Sequence, residues 1–134
     1  MSLAPHPPLP SEPALRLSLA PHRGAARAID GAWWPRSYDL LTELPALLGG
    51  LPRAWSHITS VVYNDALWSP TPGRMFVAGQ VVRLRGSSAA TALYTVVLVA
   101  SGHGRRDLLV VPPDTTSEAA ASIMARAAVS ARRA

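Results

Sequence analysis

The chain has 134 residues and a formal net charge of +5, with 49% hydrophobic and 16% charged residues. Such a composition supplies the apolar side chains of one folded domain and excludes a wholly disordered chain. Because cysteine is absent, disulfide frameworks, thiolate metal sites and thiol nucleophiles are excluded as well.

Signals for secretion and for membrane insertion are missing from the sequence. No apolar run approaches the ~20 residues that cross a bilayer. No basic segment precedes an apolar one near the N-terminus, as a secretory signal requires. We therefore expect a cytoplasmic protein without a membrane partner.

The N-terminal stretch differs in composition from the rest of the chain. Five of its first thirteen residues are proline, and proline donates no backbone hydrogen bond to a helix or a sheet. The sequence predicts an extended tail over residues 1–13 and a single domain over residues 14–134.

Two short strands open the predicted domain. Leu15, Leu17 and Leu19 alternate with more polar residues, which is typical of a half-buried strand over 14–19. A second short strand is predicted over 31–35, where Pro35 ends it.

Two helices are predicted further along the chain. Leucines that recur with helical spacing from Leu40 onward predict an amphipathic helix over residues 38–49, for which Ser37 and Asp39 are the candidate N-cap residues. The second helix is predicted over residues 116–131, opening with a capping box of Thr115 and Glu118. Four strands are predicted between the helices, at 55–63, 75–85, 91–100 and 106–111.

The resulting order β-β-α-β-β-β-β-α indicates an α+β fold. We expect a mainly antiparallel, twisted sheet of about five or six strands, with both helices packed on one face.

The residue types needed for common enzyme chemistry do not occur in the required patterns. The sequence lacks a Gly-x-Ser-x-Gly elbow, and without lysine it cannot form a Walker phosphate-binding loop. The four histidines show none of the spacings of metal-ligand pairs. The sequence therefore predicts a protein that is not an enzyme and holds no metal or cofactor.

Aromatic residues next to polar and arginine residues point to binding instead. Such side chains can stack on bases, ligands or peptides, although they serve equally well as the core of a small domain. Because consecutive residues of a strand face opposite sides, we expect one of Trp33 and Trp34 to be buried and the other to be partly outside. The candidate binding residues of this kind are Trp33, Trp34, Arg36, Tyr63, Asn64 and Trp68.

Two arginines complete the set of candidate binding residues. Arg83 and Arg85 are two residues apart in a predicted strand, so their side chains project together, roughly 7 Å apart. This pair suits an anionic partner, or it is simply the solvated end of a strand.

Several strings in the sequence resemble an actinobacterial family of uncharacterised small proteins. The most specific is Gly-Ala-Trp-Trp-Pro-Arg-Ser at 31–37, accompanied by Val81-Val82-Arg83-Leu84 and by the segment 108–115. The resemblance spans about residues 14–128. It implies a bacterial, high-GC and intracellular source, and it carries no assigned activity or site residue.

These observations lead to one hypothesis for function and two alternatives. We expect a non-enzymatic binding or regulatory module that acts through protein–protein contacts or as a homodimer. The basic charge favours a nucleic-acid or ribosome partner as the first alternative, and a small-ligand pocket bounded by aromatic side chains is the second. The arginines considered for nucleic acid are Arg16, Arg23, Arg27, Arg36, Arg83 and Arg85.

Overall fold

The computed structural model describes residues 14–20, 29–55, 57–88, 91–100 and 104–129. The predicted tail over 1–13, Arg23, Arg27 and the end of the predicted second helix lie outside these ranges. The described elements, in chain order, are β1 (Leu17–Leu19), β2 (Gly31–Trp33), α1 (Leu40–Gly49), a short 3-10 turn (Arg53–Trp55), β3 (Ile58–Tyr63), β4 (Arg74–Val77), β5 (Gln80–Gly86), β6 (Thr95–Ala100), β7 (Arg105–Val110) and α2 (Ser117–Val129).

The strands form one sheet in the order β1-β2-β7-β6-β3-β5-β4. Neighbouring strands are antiparallel except for β2 with β7 and β3 with β5, which are parallel. The α+β class predicted from the sequence is confirmed. The sheet is mixed, however, and the described part of the chain contributes seven strands to it, where a mainly antiparallel sheet of five or six was expected.

The additional strand arises because the segment predicted as one strand over 75–85 is a hairpin. β4 and β5 pair through Val77 and Gln80, so only two residues form the turn. Ala78 has a φ of 53° and Gly79 a φ of 80°, and two consecutive positive φ angles are the signature of the tight hairpin turns that match strand twist. The usual sequence signal for such a turn is Asn-Gly, and alanine in its first position conceals it.

The two helices pack on opposite faces of the sheet, which corrects the expectation of a single covered face. Alternate residues of β2 and β7 explain this arrangement. Trp33 and Leu108 belong to the larger core, which includes Leu44 of α1. Ala32 belongs to a second cluster with Leu109 and with four residues of α2, namely Ala120, Ile123, Met124 and Ala127. Sequence periodicity identifies which face of a helix is apolar, but it does not tell which side of a sheet receives that face.

The helix ends show how the local sequence positions these elements. Asp39 is the N-cap of α1, and its carboxylate accepts hydrogen bonds from the Leu41 N–H and the Thr42 hydroxyl. At α2 the capping side chain is Thr116, which accepts from the Ala119 N–H at 3.2 Å, so the predicted capping box of Thr115 and Glu118 is wrong by one residue. No helix within the described ranges is long and apolar enough to span a membrane.

Candidate functional site

The side of the sheet that α2 covers at one end is open at the other. Along β5, Leu84 points into the core with Val61, whereas Arg83 and Arg85 point to the other side, where their partners on β3 are Ser60 and Val62. On β4, Arg74 and Phe76 lie opposite Arg83 and Val81 in the antiparallel register and share their side. We call this surface the arginine face and define it as Arg74, Phe76, Val81, Arg83 and Arg85.

Each side chain of the arginine face is exposed. Phe76 is 73% exposed and Val81 is 47% exposed, which is unusual for neighbouring apolar residues on a sheet that has a well-filled core elsewhere. An open depression of about 840 Å³ lies beside them, lined by Pro72, Gly73, Arg74, Val81, Arg83 and Arg85. The surface is therefore broad and shallow, and it mixes cationic with apolar groups.

The charges of this face repel one another in the free protein. Arg74 and Arg83 stand directly opposite each other on paired strands, an arrangement that destabilises a sheet when both side chains carry the same charge. Within the described ranges, no carboxylate lies within 4 Å of either guanidinium or of Arg85. Even Asp65, which lies beside Gly86 at the end of β5, makes no ion pair with them.

A second, smaller depression of about 350 Å³ adjoins Arg85 towards the centre of the sheet. Val62 of β3 lies opposite Val97 of β6, and these residues, with Val99, contribute apolar side chains. Arg85 lies on one side and Arg105 of β7 on the other. We call this the valine depression; among the described residues its lining is Val62, Arg85, Gly86, Ser87, Thr91, Val97, Val99 and Arg105.

Thr91 gives the valine depression an unsatisfied polar group. The residue is only 4% exposed, and its Oγ1 is buried without a hydrogen-bond partner. A buried hydroxyl without a partner costs about 1–3 kcal/mol. Its backbone is held in place by Asn64, whose side-chain amide donates to the Thr91 carbonyl at 2.7 Å.

Arg105, unlike the arginines of β4 and β5, has an acidic partner. Its Nε and Nη2 donate to the two carboxylate oxygens of Asp107 at 3.0 and 2.9 Å. The hydrogen bonds to Asp107 raise the pKa of Arg105 above its usual value. Two of the five guanidinium donors are used in this way, and the others remain available to a ligand.

Four of the residues predicted as binding candidates lie in the interior. Trp33 and Trp68 are almost fully buried and stack with ring centroids 5.6 Å apart. Tyr63 is buried in the same core, and its hydroxyl lies 2.6 Å from the Thr71 hydroxyl. Asn64 is buried as well and acts on the valine depression through Thr91. The structure therefore gives them core and positioning roles.

Trp34 and Arg36 form part of a rigid corner between β2 and α1. The guanidinium of Arg16 lies 3.6 Å from the centroid of the Trp34 ring and donates to the carbonyls of Trp34 and Pro35. Burial lowers the pKa of Arg16, and the nearby Arg36 lowers it further. The Arg36 N–H donates to Glu43 of α1, while the Arg36 residue itself is exposed. As predicted, Trp33 is buried and Trp34 only partly so.

The structure thus separates the eight predicted binding residues into three groups, the first being the four that lie in the interior. Arg83 and Arg85 lie together on the arginine face, and Trp34 with Arg36 lies at the corner beside α1. The residues that sequence reasoning missed are Arg74, Phe76, Val81, Thr91 and Arg105. The available sequence signal for Phe76 was an aromatic residue two positions after Arg74. The hairpin that places Phe76 on the same side as Arg83 was not recognised from the sequence.

Other concave regions have fewer polar features. A pocket of about 270 Å³ lies between α1 and the β4–β5 hairpin, with Leu48, His57 and Val82 among its lining residues. Neither tryptophan nor tyrosine lines it, in contrast to the expected aromatic pocket. In the part of the chain that the structure describes, no group of three or more His, Asp or Glu residues is placed to hold a metal ion.

Comparison with protein families shows which family the chain belongs to but assigns no activity to it. A family of unknown function, DUF5994, matches residues 16–127. This range is most of the chain and contains every described helix and strand except the last residues of α2. The chain belongs to this family. No curated protein and no solved structure matches it.

Membership in DUF5994 agrees with the resemblance to a family of uncharacterised proteins. The Gly-Ala-Trp-Trp-Pro-Arg-Ser string lies within the matched region, and its residues build β2 and the corner that leads into α1. In this DUF5994 chain the string is therefore a structural feature of the fold, at a distance from the arginine face in the strand order.

Proposed function

We propose that this protein is a non-enzymatic module that binds nucleic acid on its arginine face. The observation that supports the proposal most directly is the opposition of Arg74 and Arg83 on paired strands, with no carboxylate of the described residues placed to neutralise them. Phosphates of a nucleic-acid backbone would remove this repulsion on binding. The source as a high-GC bacterium and the cytoplasmic location stay predictions.

Phe76 favours nucleic acid over other acidic polymers. An aromatic ring that is 73% exposed gains nothing from packing in the free protein. Beside arginines that contact phosphates, it offers a stacking surface for a base. An acidic protein supplies negative charges and occasional aromatic side chains, whereas a nucleic acid carries a planar base beside every phosphate.

Self-association stays a prediction, and it would use the edges of the sheet rather than the arginine face. Two arginine faces in contact would oppose like charges, which is unfavourable. The strands β1 and β4 lie at the two ends of the strand order, and free edges are the usual places for pairing with another copy. A homodimer through an edge would leave the arginine face open; its existence is tested by measuring the molar mass over a range of concentrations.

The experiment is direct binding of the purified chain to labelled mixed-sequence RNA and duplex DNA by fluorescence anisotropy. We expect tight binding at about 50 mM salt and a loss of about a hundredfold or more in affinity at about 200 mM, because several phosphates are neutralised. The double variant R83Q/R85Q should lose most of the affinity.

The matched control is R36Q/R53Q, which removes the same charge away from the arginine face. Both of these arginines are exposed and lie beside α1, so affinity should change little. Equal losses in the two double variants would show that only net charge matters and would overturn the proposal. Full displacement of RNA by polyglutamate of similar charge would assign the face to an acidic protein instead.

A further inference from the structure

The valine depression supplies what the arginine face alone does not: a half-open recess for one planar group. Its volume of about 350 Å³ falls within the range of small-molecule sites. Val62, Val97 and Val99 give it apolar walls, as a ring face requires. Because Arg85 lines both this depression and the larger one beside Arg74 and Arg83, the two surfaces are continuous.

Thr91 adds the polar group that would recognise such a ring. Its buried Oγ1 has no partner, and a hydroxyl can both donate and accept one hydrogen bond. The edge of a nucleobase presents donors and acceptors in its plane. Asn64 fixes the Thr91 backbone, and the hydroxyl, which is covered in the free protein, would reach a ligand by rotation of the Thr91 side chain.

We propose that the valine depression accepts one unpaired nucleobase, with its neighbouring phosphates at Arg85 and Arg105. This inference rests on the proposed nucleic-acid binding and narrows it to single strands, since bases of a duplex are paired and stacked. The base would lie against the valines, and the Thr91 hydroxyl would bond to its edge. Phe76 would stack on a further base along the strand.

The test compares three labelled ligands of equal length, roughly 12 nucleotides, as suits a small single-strand-binding domain. They are a mixed-sequence single strand, an abasic strand with the same phosphates, and a duplex. We expect the wild-type chain to bind the base-bearing strand about tenfold or more tightly than the abasic one, and more tightly than the duplex.

Two substitutions at Thr91 separate recognition from folding. Thr91→Val keeps the shape and removes the hydroxyl, whereas Thr91→Ser keeps the hydroxyl. We expect T91V to reduce the preference for the base-bearing strand by about tenfold, the effect of one hydrogen bond to a buried group. T91S should retain the preference. The affinity for the abasic strand should stay unchanged in both variants, because the arginines are untouched.

The unfolding midpoint distinguishes base recognition from a purely structural role of Thr91. A structural role predicts a lower midpoint for T91V than for the wild type. Removal of an unpaired buried hydroxyl relieves a desolvation penalty, so T91V should be at least as stable as the wild type while it binds less well. Val62→Phe, which fills the depression, should abolish the base preference in the same way. A loss of binding in T91V together with a lower midpoint would overturn the proposal.

The remaining outcomes distinguish this inference from the proposed function. Equal, salt-sensitive affinity for all three ligands would overturn the base site and leave nucleic-acid binding by the arginine face intact. Absence of binding to any of them overturns both. Binding of free mononucleotides with the same Thr91 dependence, but of no strand, would support the base site and overturn the arginine face as a polymer-binding surface.

Discussion

Arg16 and Arg83 show how differently two arginines of one chain are used. Arg16 covers the Trp34 ring and donates to two backbone carbonyls, so all its interactions lie within the protein. Arg83 is exposed, faces another arginine and has no acidic partner among the residues that the structure describes. The net charge of +5 counts both alike, although only the second type is available to a partner.

Arg16→Met tests the internal role. Methionine retains an apolar stem over Trp34 but loses the cation and both hydrogen bonds, so we expect the free energy of unfolding to fall by about 2–3 kcal/mol. Urea unfolding measures this loss. Arg53→Met, at an exposed arginine, is the control and should change stability by no more than about 0.5 kcal/mol. A similar loss in both variants would contradict the assigned role of Arg16.

Phe76→Ala tests whether the exposed Phe76 ring stacks on a base of the bound strand. Because Phe76 is exposed, stability should stay within about 0.5 kcal/mol of the wild type. Affinity for a single strand should fall by about 1–3 kcal/mol, the contribution of one stacked base. Leu41→Ala removes an exposed apolar side chain from α1 and should leave affinity unchanged in the same anisotropy measurement. Unaltered binding by F76A would remove stacking from the proposed mode.

Among the elements, β2 and the corner after it explain the most specific string of the sequence. Gly31 lies against the backbone of β1, Ala32 faces α2, and Trp33 enters the core. Pro35 and Arg36 then connect the strand to α1 through Arg16 and Glu43. The composition of the string is explained by the different neighbours that successive positions from Gly31 to Arg36 have within the fold.

Gly31→Ala tests this account of β2. A Cβ atom at residue 31 would lie 2.4 Å from the Ser18 carbonyl oxygen, so β1 must move away from β2. We expect a loss of about 2 kcal/mol or more in the free energy of unfolding. Gly49→Ala is the matched control, since no atom lies within 4 Å of its added Cβ, and alanine in the last turn of α1 should stabilise the protein slightly. Thermal or urea unfolding of both variants measures these changes, and equal stability of the two variants would contradict this account of β2.

At the scale of the whole molecule, the unequal cover of the sheet is the feature on which the proposed function rests. α1 and the larger core lie on one side, with buried residues from β2 across to β5. On the other side α2 packs against β1 and β2, and β4 and β5 present the arginine face. Within the described ranges, the placement of α1 and α2 leaves the side chains of the arginine face exposed.

The salt dependence of binding is the corresponding prediction for the whole molecule. For a single strand, each neutralised phosphate contributes about 0.7 to the slope of log affinity against log salt. The triple variant R74Q/R83Q/R85Q should therefore lower that slope by about 2. Anisotropy titrations at four or more salt concentrations measure it. A slope identical to that of the wild type would show that these three arginines do not contact phosphates.

The local sequence by itself determined the class of fold and the position of both helices, and it identified Asp39 as one of two candidate N-cap residues of α1, because hydrophobic spacing and capping depend on near neighbours. It also placed Arg83 and Arg85 side by side, since strand alternation is local. Only the tertiary structure decided that α1 and α2 lie on opposite faces and that residues 75–85 fold back as a hairpin. It likewise decided that Trp33 and Trp68 stack in the core. Each of these features depends on contacts between residues distant in the chain. The valine depression belongs to this second kind, because Thr91, Val62 and Arg105 meet only when β3, β6 and β7 pair.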